Sequence, residues 1–211
     1  MKEKVVLVGA GGHCKILIES IDRNIYEIVG ILDNNLKKGT EIAGIPVIGD
    51  DHDAKAFYDS GICNAVIAIV GNLKIRRMLL EQYREIGFSF PRILHPSSCI
   101  SSSAQVGEGV AVLAGAYINA EAIVQDFATI NTGAVVEHEV LIGENSHIAP
   151  RATLLGAGRV GKDTMVGAGS IILQQVIIGE QCTIGAGSIV LKNVRDRKMV
   201  YGNPAKEKEI L

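Results

Sequence analysis

From Leu94 to Val190 every sixth residue is aliphatic, an unbroken series of seventeen positions. It begins Leu94, Ile100, Val106, Val112 and ends Ile178, Ile184, Val190. Two residues before each member the side chain is mostly small, as at Ser98, Ala104, Ala116, Ala122, Cys182 and Ser188, with Val110, Val140 and Val176 as larger exceptions. A period of six fits neither a helix, at about 3.6 residues per turn, nor a strand, whose faces alternate at about 2. It fits a coil of three short strands, about 18 residues long, each strand turning one aliphatic and one small residue inward. Such coils stack at the ordinary inter-strand spacing of about 4.8 Å and bond to one another along the axis. The fold class predicted for residues 93–211 is therefore an all-β parallel β-helix followed by a C-terminal tail. The 24 glycines and the absence of Trp suit closely stacked backbone better than a large aromatic core.

Residues 1–92 follow a different rule. Lys4–Ala10 reads as a buried strand running into glycines, and Gly11–Ser20 as a turn that opens a helix. Glu27–Asp33 is a second strand with an acidic end, Asp53–Ser60 a helix, and Ala65–Val70 a third strand. Leu73–Ile86 is a longer helix with apolar residues at Ile75, Met78, Leu79 and Ile86. The alternation predicts an α/β, Rossmann-like domain, a small parallel sheet with helices on its faces. Gly9-x-Gly11 after a strand, with Asp33 about 20 residues on, matches part of the dinucleotide fingerprint. The third glycine position holds Cys14, and the strands number about half of those a dinucleotide fold uses, so redox cofactor binding is the lesser reading. The turn still aims backbone N–H groups outward from a helix N-terminus, a setting that suits a diphosphate.

The chain carries 21 Lys and Arg against 23 Asp and Glu, so no basic excess points to nucleic acid or to an anionic membrane. No apolar run approaches the ~20 residues of a membrane span. Met1-Lys2-Glu3-Lys4 leads into a strand-like run without a signal-peptide pattern. The four cysteines, Cys14, Cys63, Cys99 and Cys182, form no CxxC pair. A cytoplasmic protein with free thiols is the expectation.

Among the five histidines, His52 lies in a charged stretch and His95 precedes Pro96, and both read as structural or solvated. His138 and His147 fall inside the repeat but on neither inward series, so both are predicted to point outward. Nine residues separate them, half a coil, which puts them on opposite sides of one prism. They can share a site only across an interface between copies, and a cyclic trimer supplies three equivalent clefts. Asn131 precedes His147 by almost one coil, so those two belong side by side on one face. Glu137 and Glu139 flank His138, and either can orient the ring and support its protonated form. An imidazole so placed suits removal of a proton from an attacking amine or hydroxyl. The bland alternative is a surface histidine among solvated charges. Gly167-Ala168-Gly169-Ser170 recurs as Gly185-Ala186-Gly187-Ser188 one coil later. These tracts either leave backbone open to a thin ligand such as a pantetheine arm or simply ease tight turns. Lys206, in the tail, is a lone cation that a phosphate can meet.

Gly9-Ala10-Gly11-Gly12-His13-x-Lys15, Asn131-Thr132, Glu137-His138-Glu139, His147 and Gly202-Asn203-Pro204-Ala205-Lys206 together resemble the sugar acyltransferases of the NeuD/PglD type. The resemblance covers essentially the whole chain and implies a left-handed β-helix. It implies an acetyl-CoA-dependent N-acetyltransferase acting on the amino group of a UDP-linked 4-amino-4,6-dideoxy sugar, with sialic acid or another sugar hydroxyl as the alternative acceptor. It makes His138 the general base, assisted by Glu139. It places Asn131, His147, Gly156, Ala168, Ala186 and Lys206 on the acetyl-CoA side, and Gly11, Gly12, His13, Lys15, Asp33, Asn34 and Glu137 on the nucleotide-sugar side. Asn34 stands where some members carry a second acidic residue. Transfer is expected to be direct, in a homotrimer, with no metal. A zinc hydratase on the same scaffold needs three histidine ligands, and the repeat supplies two. A non-catalytic nucleotide-sugar-binding module is the reading of another class, and acetyl-CoA binding separates it from an enzyme. A sugar nucleotidyltransferase needs a larger N-terminal domain than this one.

Overall fold

The computed structural model describes residues 2–207, and the chain divides between Ile93 and Leu94 into two compact units. In the first unit, strands β1 (Glu3–Val8), β2 (Tyr26–Leu32), β3 (Glu41–Ile42), β4 (Ile45–Gly49) and β5 (Asn64–Ile67) form one sheet in the order β3-β4-β2-β1-β5. Strands β1, β2, β4 and β5 run parallel, and β3 lies antiparallel to β4 at the edge. Helices α1 (Gly12–Ser20), α2 (Ala54–Asp59) and α3 (Leu73–Ile86) complete the unit. Strand β1 is paired on both sides, and Val5, Val6, Leu7 and Val8 are at most 1% exposed, as a continuous apolar run in a parallel sheet should be.

Two features depart from the sequence reading. The β3–β4 hairpin carries no clear signal in the sequence, because its turn pairs Ala43 (φ 47°) with Gly44 (φ 77°). Both central residues need positive φ, and Ala there hides the usual Asn-Gly or Asp-Gly signal. In α3, Ile75 and Met78 are 46% and 60% exposed, whereas Leu73, Leu79, Leu80 and Tyr83 form the buried face. The helix starts at Asn72, whose side chain accepts from Ile75 N at 3.1 Å, and stops at Gly87.

In the second unit two-residue strands fall into three parallel sheets. The first sheet stacks Cys99–Ile100 through Ile189–Val190, and the second Gln105–Val106 through Ile177–Ile178. The third runs from Ile93–Leu94 to Met199–Tyr201 and is closed by Lys206–Glu207, antiparallel to its last strand. Pairing joins residues one full coil apart, as in Tyr117 with Val135, Thr129 with His147 and Leu141 with Arg159. From Val112 to Val190 every member of the aliphatic series is at most 2% exposed. Burying one such side chain contributes about 1.5–3 kcal/mol, so the series is the main source of the unit's stability. The exceptions are Leu94, at 42% exposed, and the half-buried Ile100 and Val106; all three stand in the first coil, which has a neighbouring coil on one side only. Hydroxyls of the small series do not go unbonded: Ser146 Oγ, Thr164 Oγ1 and Ser170 Oγ donate to the carbonyls of Gly161, Gly179 and Gly185, each at 2.8 Å.

A third series of period six sets the corners. From Gly109 to Gly187 a residue with φ between 55° and 67° recurs at every sixth position, among them Glu121, Phe127, Glu139, Asn145, Ala157 and Asp163. This left-handed step turns the chain from one sheet to the next. Glycine fills only some of these corners, which is why composition does not reveal the series.

Candidate active site

His138 lies in the turn between Val135–Val136 of the first sheet and Leu141–Ile142 of the second. Its side chain is 59% exposed, and its Nδ1 is 3.0 Å from Glu139 Oε2. A carboxylate only accepts, so Nδ1 carries the proton and Nε2 remains the basic nitrogen. Glu137 serves differently: its Oε2 accepts from the backbone N–H of His138 at 3.3 Å. Glu139 is thus the carboxylate that orients the ring.

Glu139 occupies a left-handed corner, with φ at 60° and its N–H donating to Ala120 O at 2.9 Å. An L-residue in that conformation carries a cost of roughly 1–2 kcal/mol that glycine avoids. Glu139→Gly is therefore expected to melt within about 1 kcal/mol of the parent, because glycine's larger unfolded-state entropy offsets the relief of strain. Turnover should nevertheless fall by about 10- to 10²-fold, because the ring loses its orienting partner. Thermal melting alongside steady-state kinetics checks the separation of the two effects, and an unchanged rate would remove Glu139 from the site.

Asn131 and His147 meet on the third sheet's side, with Asn131 Nδ2 at 3.1 Å from His147 Nε2. The two are only 5% and 6% exposed, so His147, outside the prism interior, is withdrawn from solvent. The sequence period assigns a face but not what lies over it. Asn131 Oδ1 accepts from Thr132 N at 2.7 Å, which turns the amide nitrogen toward the ring. That nitrogen can only donate, so His147 Nε2 is an acceptor and the neutral ring carries its proton at Nδ1. His147 is in this way a donor through Nδ1.

Gly167-Ala168-Gly169 and Gly185-Ala186-Gly187 stack on the corner that also holds Asn131, with Gly187 N donating to Ala168 O at 2.8 Å. Ala168 and Ala186 are exposed. Each Gly-Ala-Gly tract ends on a left-handed corner, at Gly169 and Gly187. Gly167 has a stacking reason as well, since a Cβ there would stand 2.6 Å from Ala186 N. Gly156 does not share this corner. It lies one coil beyond His138, on the His138 corner, apart from the other residues placed on the acetyl-CoA side. Lys206 is exposed on the closing edge strand.

In the first unit, Gly11 is the N-cap of α1 and makes no side-chain cap, so the helix starts on open backbone. Gly11 and Gly12 are exposed with open space about them, His13 is half-buried and Lys15 exposed. The glycine that the loop's geometry requires is Gly9, with φ at 96° and a would-be Cβ 2.9 Å from Ile69 Cγ1. Asp33 is engaged in holding the same loop: its Oδ2 accepts from Ala10 N at 2.8 Å, and its Oδ1 from Asn35 N and Leu36 N. Asn34 pairs with Asp51 through both ends of its amide, at 2.6 and 3.1 Å, and Tyr83 donates to the other Asp51 oxygen at 2.9 Å. Burial, and then Asp51, push the Tyr83 phenol above its ordinary range. Cys14, buried behind the turn, has its thiol raised to about 12 by burial first and by Asp33 second, so it packs as a neutral group. All four cysteines are free thiols. Among the described residues, no group of three or more His, Cys, Asp or Glu is placed to hold a metal ion, and no helix is long and apolar enough to cross a membrane.

Known proteins share this fold. The profile of the PglD N-terminal domain matches residues 4–83, and that of the bacterial transferase hexapeptide (six repeats) matches residues 158–192. PerB from Caulobacter crescentus, solved in complex with CoA and GDP-perosamine, is 37% identical with a TM-score of 0.92, over 98% of this chain and 97% of that one. The acetyltransferase domain of PglB from Neisseria gonorrhoeae, solved with acetyl coenzyme A, is 32% identical with a TM-score of 0.88, over 99% of this chain and 100% of that domain. The UDP-N-acetylbacillosamine N-acetyltransferase of Bacillus subtilis is 36% identical over 114 residues, 53% of this chain and 52% of that protein, so the match spans about half of that curated relative. The chain belongs to the hexapeptide-repeat sugar acyltransferases of the NeuD/PglD type, with their left-handed parallel β-helix.

Proposed function

We propose that this chain is a cytoplasmic, acetyl-CoA-dependent N-acetyltransferase acting on the amino group of a nucleoside-diphosphate-linked 4-amino-4,6-dideoxy sugar. The observation that carries the reading is the His138–Glu139 pair, which leaves a basic Nε2 on an open corner. The relatives add support: one is solved with CoA and a GDP-linked amino sugar, another with acetyl coenzyme A, and a third is named for a UDP-linked sugar.

The site is completed across an interface in a homotrimer, with His138 from one copy and Asn131 and His147 from its neighbour. The sugar amine attacks the thioester carbonyl, forming the C–N bond, while His138 Nε2 takes the amine proton. A donor from His147, Asn131 or a backbone amide holds the resulting oxyanion, a type of contact worth about 3–4 kcal/mol. Collapse breaks the C–S bond, and the proton on His138 passes to the CoA thiolate. Holding both substrates in one cleft supplies much of the remaining acceleration. The nucleotide-sugar diphosphate is read as lying at the Gly11–Gly12–His13 turn, with Lys15, Asp33 and Asn34 nearby. The CoA arm runs along Ala168 and Ala186 toward Lys206.

The test offers acetyl-CoA together with UDP-linked amino sugars, GDP-linked amino sugars and sialic acid, and follows thiol release and the mass of the sugar product. The expected result is acetylation of one nucleotide-linked amino sugar and no thiol release with sialic acid. Acetylation of sialic acid alone would move the reading to hydroxyl transfer, and a chain that binds no acetyl-CoA by calorimetry is not this enzyme.

A further inference from the structure

We infer that Gly156 is a positioning residue, whose missing side chain is the seat of the His138 imidazole. Gly156 stands one coil beyond His138, and the N–H of its neighbour Ala157 donates to His138 O at 2.9 Å, so the two turns are locked in register. A Cβ placed on Gly156 would lie 2.5 Å from both Cε1 and Nε2 of the ring and 3.2 Å from Cδ2. Real Cβ atoms do not approach so closely, so any side chain at 156 displaces the imidazole edge that carries the basic nitrogen.

Backbone conformation does not account for the glycine. Its φ lies outside the left-handed region that favours glycine. The very next residue is left-handed, with φ at 56°, and there the chain uses Ala157. Alanine thus occupies the position where backbone strain favours glycine, and glycine the position where only the ring demands it. The His138 side chain is 59% exposed and is fixed by its 3.0 Å contact with Glu139 and by the surface of Gly156. Filling that surface swings an exposed ring outward at little cost to the fold, and carries Nδ1 away from Glu139.

The inference rests on His138 being the base, and its test separates the two ideas. Gly156→Ala is compared with the parent and with His138→Ala in the full chain, with thermal melting, steady-state kinetics and the Cε1–H resonances of 13C-labelled histidine, the His138 signal being the one lost in His138→Ala. The expected result for Gly156→Ala is unchanged melting, a moved His138 signal, and a kcat lower by up to about 10²-fold, the scale of a displacement of about 1 Å. The KM for acetyl-CoA should stay within about threefold, since the change acts on the base and not on uniform binding. A His138 signal that stays in place, or a raised KM with kcat intact, overturns the inference and makes Gly156 a contact of the CoA arm. An active His138→Ala removes the base assignment by itself, whatever Gly156→Ala does.

Discussion

His138→Ala is expected to lower turnover by roughly 10²–10⁴-fold, the usual contribution of a positioned general base, while the protein melts where the parent does. The two halves of that expectation have different sources. An amine that attacks a thioester must lose a proton before the intermediate collapses to amide, and His138 Nε2 is the basic nitrogen left open once Glu139 holds Nδ1. His147 cannot replace it from its observed position, because its Nε2 already faces the Asn131 amide. Stability is spared because the His138 side chain is 59% exposed and contributes nothing to the prism interior. Two residues further on, Val140 is fully buried, as is Ile142, and truncating the isoleucine to Ala should cost about 2–5 kcal/mol through lost burial and a cavity. Rate and melting temperature measured on both variants should therefore separate, with His138→Ala slow and stable and Ile142→Ala less stable. A near-parental rate in His138→Ala would reject the base assignment.

The sequence made different parts of this site legible for different reasons. Asn131 and His147 were legible as a pair because their spacing of sixteen is close to one coil, and coil length follows from the aliphatic period alone. Spacing alone does not choose between Glu137 and Glu139, since the two flank His138 symmetrically in sequence, and only the resemblance names Glu139. The contacts separate them: Glu139 Oε2 lies 3.0 Å from His138 Nδ1, whereas Glu137 Oε2 accepts from the His138 backbone N–H. The burial of His147 was hidden because period assigns a face and not its covering. Leu94 belongs to the aliphatic series but not to the buried interior, since stacking needs a coil on each side and the pattern cannot see its own ends. In the first unit the buried run of β1 announced itself, whereas β3 and β4 were masked by an Ala-Gly turn. Resemblance places Gly156 with the acetyl-CoA residues, and only the atoms of the His138 ring reveal what its empty side must accommodate.

Mixing two inactive variants should restore about one quarter of the parental rate, if each cleft takes His138 from one copy and His147 from the next. His138→Ala copies retain a sound Asn131–His147 half, and His147→Gln copies retain a sound His138 half. In trimers reassembled at random from equal amounts, a given cleft has about a one-in-two chance of a sound half on each side, so about one cleft in four is intact. The recovered rate should scale with the product of the two fractions and peak at equal mixing. The half-coil separation of the two histidines is what makes this outcome distinctive. In the chain, His138 lies in the turn from the first sheet to the second, while His147 lies in a strand of the third. If both acted on one substrate within a single copy, mixing would give only the mean of two inactive proteins at every ratio. Exchange has to pass through partial denaturation or co-expression, because preformed trimers of separate variants should not complement. A linear response to mixing, or a monomer at the enzyme's working concentration, would break the link between trimer and cleft.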